Sequence, residues 1–172
     1  MGCASGCEGE PPEREGVLLA GLKDEVRVAN MACVAVYNFA ESEASPHRLS
    51  PIFADLARAL LEANADPNAQ KSEGVTALFC AAQKGFTDVA RALVEDGRTE
   101  VDLANINGAT PLYIAAYYGH DAVVQMLLQR GATVDRAQND GMTPLYIAAQ
   151  FGHDAVVQML LLRGATVDQT NR

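Results

Sequence analysis

The sequence predicts an all-α solenoid, built from helix–turn–helix units that stack side by side and are joined by β-hairpin loops. Two observations predict it. The first is internal repetition. Residues 110–139 and 143–172 align without a gap at a period of 33, and 23 of the 30 positions are identical. A period of that length marks stacked supersecondary units. A third copy begins at Thr76, 34 residues before Thr110, and its one extra residue falls between Arg98 and Val101. A partial copy lies upstream, where LARALLEANADPNA at 56–69 matches VARALVEDG at 89–97 and the residues after it. The count is therefore about three full repeats plus a degenerate N-terminal one. The second observation is the helical spacing of apolar residues inside each copy.

The copy around residues 107–131 shows each element in order. Thr110 is a good helix N-cap, and Pro111 sits at the first helical position, where its missing N–H costs nothing. Leu112, Ala115 and Ala116 then fall at i, i+3 and i+4 on one stripe, and the two alanines let a second helix approach closely. Gly119 ends the first helix, where a left-handed residue is needed. Asp121 opens the second helix with a carboxylate at the positive end of its dipole. Val123, Val124, Leu127 and Leu128 form its buried face, and Gly131 stops it. Helices of eight to ten residues are marginal alone and must stack on neighbours to bury such stripes. Between the helix pairs stand the hairpin dipeptides Asn107-Gly108 and Asp140-Gly141, with Glu73-Gly74 a weaker version.

Upstream the signal thins. Residues 1–16 hold four Glu and one Arg among Gly, Pro and Ser, and read as a flexible acidic tail. Val17 to Ala40 has a helical pattern, and Val28 to Ala40 is its most apolar stretch at 13 residues. Ser42 to Pro51, with two Pro and three Ser, reads as a loop, and Ile52 to Ala63 as the second helix of the degenerate opening repeat. The organisation is thus a tail (1–16), a capping or partial-repeat region (17–74), and three repeats (75–107, 108–140 and 141–172). The end of the last repeat is unusually apolar at Leu160, Leu161 and Leu162. This predicts either further repeats in a longer product or an end-to-end contact that covers the face.

Composition narrows the class of function. The chain has 172 residues, 49% of them hydrophobic and 20% charged, which is the globular range. Thirteen Lys and Arg against 22 Asp and Glu give a net charge of −9, unsuited to a nucleic-acid partner. No apolar run reaches the roughly 20 residues of a membrane span. No basic start precedes an apolar run, so no secretory signal is expected. Cys3, Cys7, Cys33 and Cys80 follow no metal or disulfide spacing, which suits a reducing, cytoplasmic setting. Cys33 and Cys80 sit in apolar helical contexts and read as small core residues.

No residue pattern points to catalysis, a cofactor or a metal. Gly16 and Gly21 have phosphate-loop spacing, but Lys23 comes one place late and no Ser or Thr follows it, so an amphipathic helix is the better reading. His120-Asp121 and His153-Asp154 are copies of one structural position with no nucleophile beside them, and read as helix capping and surface hydrogen bonding. Met1-Gly2-Cys3 resembles an N-myristoylation start with a neighbouring palmitoylation site, which would bring lipid-mediated membrane contact through Gly2 and Cys3. Gly6 stands where that motif wants Ser or Thr, and no polybasic segment follows. A flexible start that happens to read Met-Gly is the competing and simpler reading.

The strings GATPLYIAAYYGHDAVVQMLLQRGATVD and GMTPLYIAAQFGHDAVVQMLLLRGATVD resemble ankyrin repeats, over about residues 56–172. Departures are local. Phe79, Tyr113 and Tyr146 occupy the place of the family's His after Thr-Pro-Leu. Ala77 replaces Pro and Phe86 replaces His in the first full copy. Asn64 replaces the terminating Gly of the partial copy, and Asn tolerates the left-handed region. The resemblance implies a non-catalytic module that binds another protein through the concave face of its first helices and the hairpin tips. The leading reading is an adaptor or scaffold, and the alternative is a regulatory segment of a larger enzyme or channel continuing past the C-terminus.

The two near-identical copies point to where binding occurs. Four of their seven differences lie in 136–139 against 169–172, and two more in Tyr117 and Tyr118 against Gln150 and Phe151. A constant frame with variable positions is how a binding surface is diversified. The predicted partner-binding set is an aromatic patch of Tyr117, Tyr118 and Phe151 with Gln150, flanked by Ile106, Asn107, Asn139, Asp140 and Met142 at or beside the hairpin tips. The bland alternative is that one ring of each pair packs on its own repeat.

Overall fold

The computed structural model describes residues 46–167 and contains seven α-helices: α1 (Pro46–Glu62), α2 (Ala77–Lys84), α3 (Thr87–Glu95), α4 (Pro111–Tyr118), α5 (Asp121–Gln129), α6 (Pro144–Gln150) and α7 (Asp154–Leu162). A short 3-10 turn spans Ser72–Gly74. No described residue belongs to a β-strand. The expected tail, the lipidation pair Gly2 and Cys3, the 17–40 helical pattern with Gly16, Gly21, Lys23 and Cys33, and the variable residues 169–172 lie outside the described residues.

Each helix pair starts from the same cap. The hydroxyl of Thr76, Thr110 and Thr143 accepts the backbone N–H of Phe79, Tyr113 and Tyr146, at 3.1, 3.1 and 3.2 Å. These threonines are buried, and among the described residues no buried side-chain N or O lacks a partner. The cap bond therefore satisfies the hydroxyl without the His that ankyrin sequences usually carry at the third following position. Gly119 closes α4 at φ 69°, a conformation that would strain any side chain. Asn64 fills the same role after α1 at φ 63°.

Within a pair, α2 packs on α3, α4 on α5 and α6 on α7; between pairs, α2, α4 and α6 stack in one row and α3, α5 and α7 in another. Helix α1 packs against α3. The core runs the length of the stack and is filled at equivalent positions by Val89, Val123 and Val156, and by Leu93, Leu127 and Leu160. Leu127 is fully buried, as its place on the second helix requires.

Two expectations are corrected. The stretch 42–51, read as a loop, is helical from Pro46, with Pro51 inside α1. A proline at the sixth position of the helix removes one backbone bond, and the helix tolerates that loss. The loops at Asn107-Gly108 and Asp140-Gly141 are hairpins, yet not with those dipeptides at the two-residue tip. Such a turn needs positive φ at both residues, and only Gly108 (78°) and Gly141 (83°) have it. The Gly108 N–H donates to the Asn105 carbonyl at 2.9 Å, and the Asn105 N–H to the Ala109 carbonyl at 3.0 Å. The tip residues are thus Ile106-Asn107, and by the same bonds (Gly141 to Gln138, Gln138 to Met142) Asn139-Asp140. In the first hairpin both Glu73 (φ 68°) and Gly74 (φ 73°) are left-handed, Glu73 as a non-glycine.

Candidate functional site

The predicted partner-binding residues fall into two groups at opposite ends of the first helices. Ile106, Asn107, Asn139 and Asp140 are exposed on the hairpin tips. Tyr117, Tyr118, Gln150 and Phe151 lie at the C-terminal ends of α4 and α6. An eight-residue helix rises about 12 Å, so the groups border one face without touching. Ile114, part-buried, stands one turn before Tyr118 on the same side of α4. Met142 belongs to neither group: it is packed against the core at the base of its hairpin, where its N–H donates to Asp140 Oδ1 at 3.0 Å.

The aromatic residues form a connected ridge. Tyr117 and Tyr118 meet edge-on with ring centroids 4.8 Å apart, and Tyr117 reaches Phe151 of the next repeat at 4.6 Å. The link between repeats is thus Tyr117, part-buried between two rings that are each nearly half exposed. Tyr118 stacks on His120 at 6.0 Å and Phe151 on His153 at 6.4 Å. Aromatic contacts of this kind fix ring orientation before any partner arrives.

The histidines beneath the ridge do not act as the caps that their sequence positions suggest. Neither side chain caps its own helix. His120 Nε2 reaches back to the Gln83 carbonyl at 3.1 Å, and His153 Nε2 to the Tyr117 carbonyl at 2.9 Å. A carbonyl only accepts, so Nε2 carries the proton in both. Each His ties the first-helix end of one repeat to the turn of the next. Glycine makes room: a Cβ on Gly85 would stand 2.7 Å from His120 Nδ1, and one on Gly119 would clash with His153.

Three further rows of ties run along the stack. Arg130 donates to the Val94 carbonyl and Arg163 to the Leu128 carbonyl, each at 2.7 Å. At the preceding junction the equivalent cap residue is Asp96. It holds Arg98 with two bonds, 2.7 and 2.9 Å, and Arg98 reaches the equivalent Leu61 carbonyl at 3.2 Å. The hydrogen bond from Arg98, with its charge, draws the Asp96 carboxyl below its ordinary pKa, and Asp96 in turn raises Arg98. Asp102 and Asp135 accept the backbone N–H and hydroxyl of Thr133 and Thr166 in the next repeat. At the tips, the Ile106 N–H donates to the Glu73 carbonyl at 2.9 Å and the Asn139 N–H to the Asn107 carbonyl at 3.0 Å. The signal available in the sequence was that His, Arg, Asp and Thr recur at fixed offsets in the last two copies.

The fold, the period and these ties define a class, and comparison with known proteins agrees. The family model "Ankyrin repeats (3 copies)" matches residues 52–138 and 98–171. The chain belongs to the ankyrin-repeat family. It is similar to ankyrin repeat-containing protein ITN1 of Arabidopsis thaliana, 44% identical over 37% of this chain and 11% of that protein. It is also similar to alpha-latrocrustotoxin-Lt1a of Latrodectus tredecimguttatus, 41% identical over 44% of this chain and 5% of that protein. A third relative is neurogenic locus notch homolog protein 1 of Xenopus laevis, 34% identical over 48% of this chain and 3% of that protein. The chain thus spans about a tenth or less of these relatives. Ankyrin repeats are in general non-catalytic protein–protein interaction modules. Among the described residues no helix is long and apolar enough to cross a membrane.

Proposed function

We propose that the chain is a non-catalytic adaptor or scaffold that captures a protein partner with the Tyr117–Tyr118–Phe151 ridge, supported by the tips Ile106, Asn107, Asn139 and Asp140 and by Gln150. The observation that carries this reading is the ridge: exposed rings on successive repeats, in contact through Tyr117, at positions where two otherwise near-identical copies differ. Large rings with few rotatable bonds give contact area at low entropic cost and are common interface hot spots. The partner is a protein and not a nucleic acid, given the net charge of −9. The setting is the cytoplasm, with Gly2 and Cys3 a site of lipid attachment if the chain is held at a membrane.

The test is capture by the intact chain against the Tyr118→Ala, Phe151→Ala double variant. Both rings are half exposed, so the variant keeps its melting temperature within a few degrees while captured protein falls to background. Capture at wild-type strength, or a variant that unfolds, overturns the reading. A second reading, a regulatory segment of a larger enzyme or channel, is favoured by how small a part of its relatives the chain spans. A longer transcript that encodes an appended catalytic or membrane domain would establish it.

A further inference from the structure

Helix α1 is apolar on two sides and covered on one. Phe53, Ala54 and Ala57 are buried, with Leu61 packed beside them, against the stack. Asp55, Arg58 and Glu62 form a polar side, where Arg58 pairs with Asp55 at 2.9 Å. Between the two, Ile52, Leu56, Ala59 and Leu60 recur at helical spacing as a second apolar stripe. Ile52 is 62% exposed and Leu56 41% exposed. Solvated faces of surface helices are normally polar, and this helix already has its polar side elsewhere.

The repeat alignment says what that stripe should touch. The match of LARALL (56–61) with VARALV (89–94) sets Leu56, Ala59 and Leu60 on Val89, Ala92 and Leu93, and in the next copy on Val123, Met126 and Leu127. All six of those counterparts are buried. They lie on second helices that each pack against their own first helix, α2 on α3 and α4 on α5. Helix α1 has the second-helix face and, among the described residues, no first helix beside it. The chain supplies one candidate of the right chemistry at the right distance. Val28 to Ala40 is apolar, contains the small residues Ala29, Ala32 and Ala35 that resemble the paired alanines of the first helices, and ends five residues before α1 begins. A connection that short brings two helices alongside each other in opposite directions.

We propose that the Ile52–Leu56–Ala59–Leu60 face of α1 is the docking surface for this chain's own residues 28–40, which complete the opening repeat and seal that end of the core. The claim is independent of the ridge and of any partner. The test uses the full chain with Cys3, Cys7 and Cys33 replaced by Ala, so that buried Cys80 and one introduced thiol remain. The rate at which a thiol reagent modifies Leu56→Cys is compared with that of Glu62→Cys on the polar side. Docking predicts that position 56 reacts about tenfold more slowly than position 62, at a rate independent of protein concentration. Equal rates overturn the proposal. Protection that grows with concentration, alongside a doubled mass in light scattering, overturns it in favour of a second copy. Adding Val34→Ser and Val36→Ser is expected to speed modification at position 56 at least about threefold while Cys80 stays protected. An unchanged rate means that another part of the molecule covers the face, and overturns it as well.

Discussion

The repeats beginning at Thr110 and Thr143 carry almost the same residues and live in different surroundings. Tyr113 is 5% exposed and Tyr146 47%; Leu128 is 5% exposed and Leu161 44%. The residue types, helix positions and N-caps are the same. What differs is the neighbour: α6 and α7 lie against α4 and α5, and among the described residues nothing lies against α6 and α7 from the other side. Exposure in a stack is set by what comes next along it, because each unit contacts only its neighbours. The same holds for polar groups. The Leu128 carbonyl receives Arg163 and the Tyr117 carbonyl receives His153, while the matching Leu161 and Gln150 carbonyls face no further Arg or His among the described residues.

Paired substitutions test that contrast, and the largest effect is expected in the core. Leu128→Ala should cost about 2–4 kcal/mol, since it leaves a cavity between two repeats. Leu161→Ala should cost about 1 kcal/mol, because much of its surface is already in water. Urea unfolding of the two variants checks this, and equal losses would mean that the outer face of α7 is covered after all.

A smaller difference is expected at the turns. Gly119 and Gly152 share nearly the same left-handed φ, 69° and 72°. An alanine at either adds about 1–2 kcal/mol of backbone strain. At Gly119 the new Cβ also strikes His153, whereas at Gly152 it meets nothing within 4 Å. Gly119→Ala should therefore cost about 1 kcal/mol more than Gly152→Ala, the value of the displaced His153 bond. Removing that bond first with His153→Ala should erase the difference, and if it persists the tie carries no energy.

The smallest effect is in alkali. Burial, then the charges of Asp140 and Tyr117, raise the Tyr113 phenol above its ordinary pKa. A raised pKa means that the unfolded chain ionises first. The fold is unaffected below the unfolded value near 10 and loses stability as pH climbs from there through the folded value. Tyr113→Phe should make the decline above about pH 10 shallower, as followed by urea midpoints. Superimposable profiles would show that the Tyr113 ring ionises freely in the folded protein.

Much of this molecule was legible in its residues. The Thr-Pro start, the paired alanines, Gly119 and the apolar rows at 123, 124, 127 and 128 dictate a helix pair, since each acts within a few residues of itself. The repetition of that pair dictates stacking, because neither helix is long enough to stand alone. The proposed partner-binding set was legible as a list of positions, and only in part as a surface. Met142, expected at or beside the tips, stands beside the second tip with its side chain packed against the core. The link between Tyr118 and Phe151 proves to be the less exposed Tyr117.

What only the tertiary structure decided is everything that crosses a junction. His120 and His153 looked like caps because a sequence shows neighbours within one helix, and their true partners are 36 or 37 residues away. Arg98 and Asp96 together replace an arginine at one junction, a substitution that only the shared target, the Leu61 carbonyl, reveals. Identical tyrosines and leucines are buried in one repeat and nearly half exposed in the next. Local sequence determines torsion angles and helix faces through short-range sterics and hydrogen bonds. Which face ends up dry depends on the body packed against it, and no single repeat contains that information.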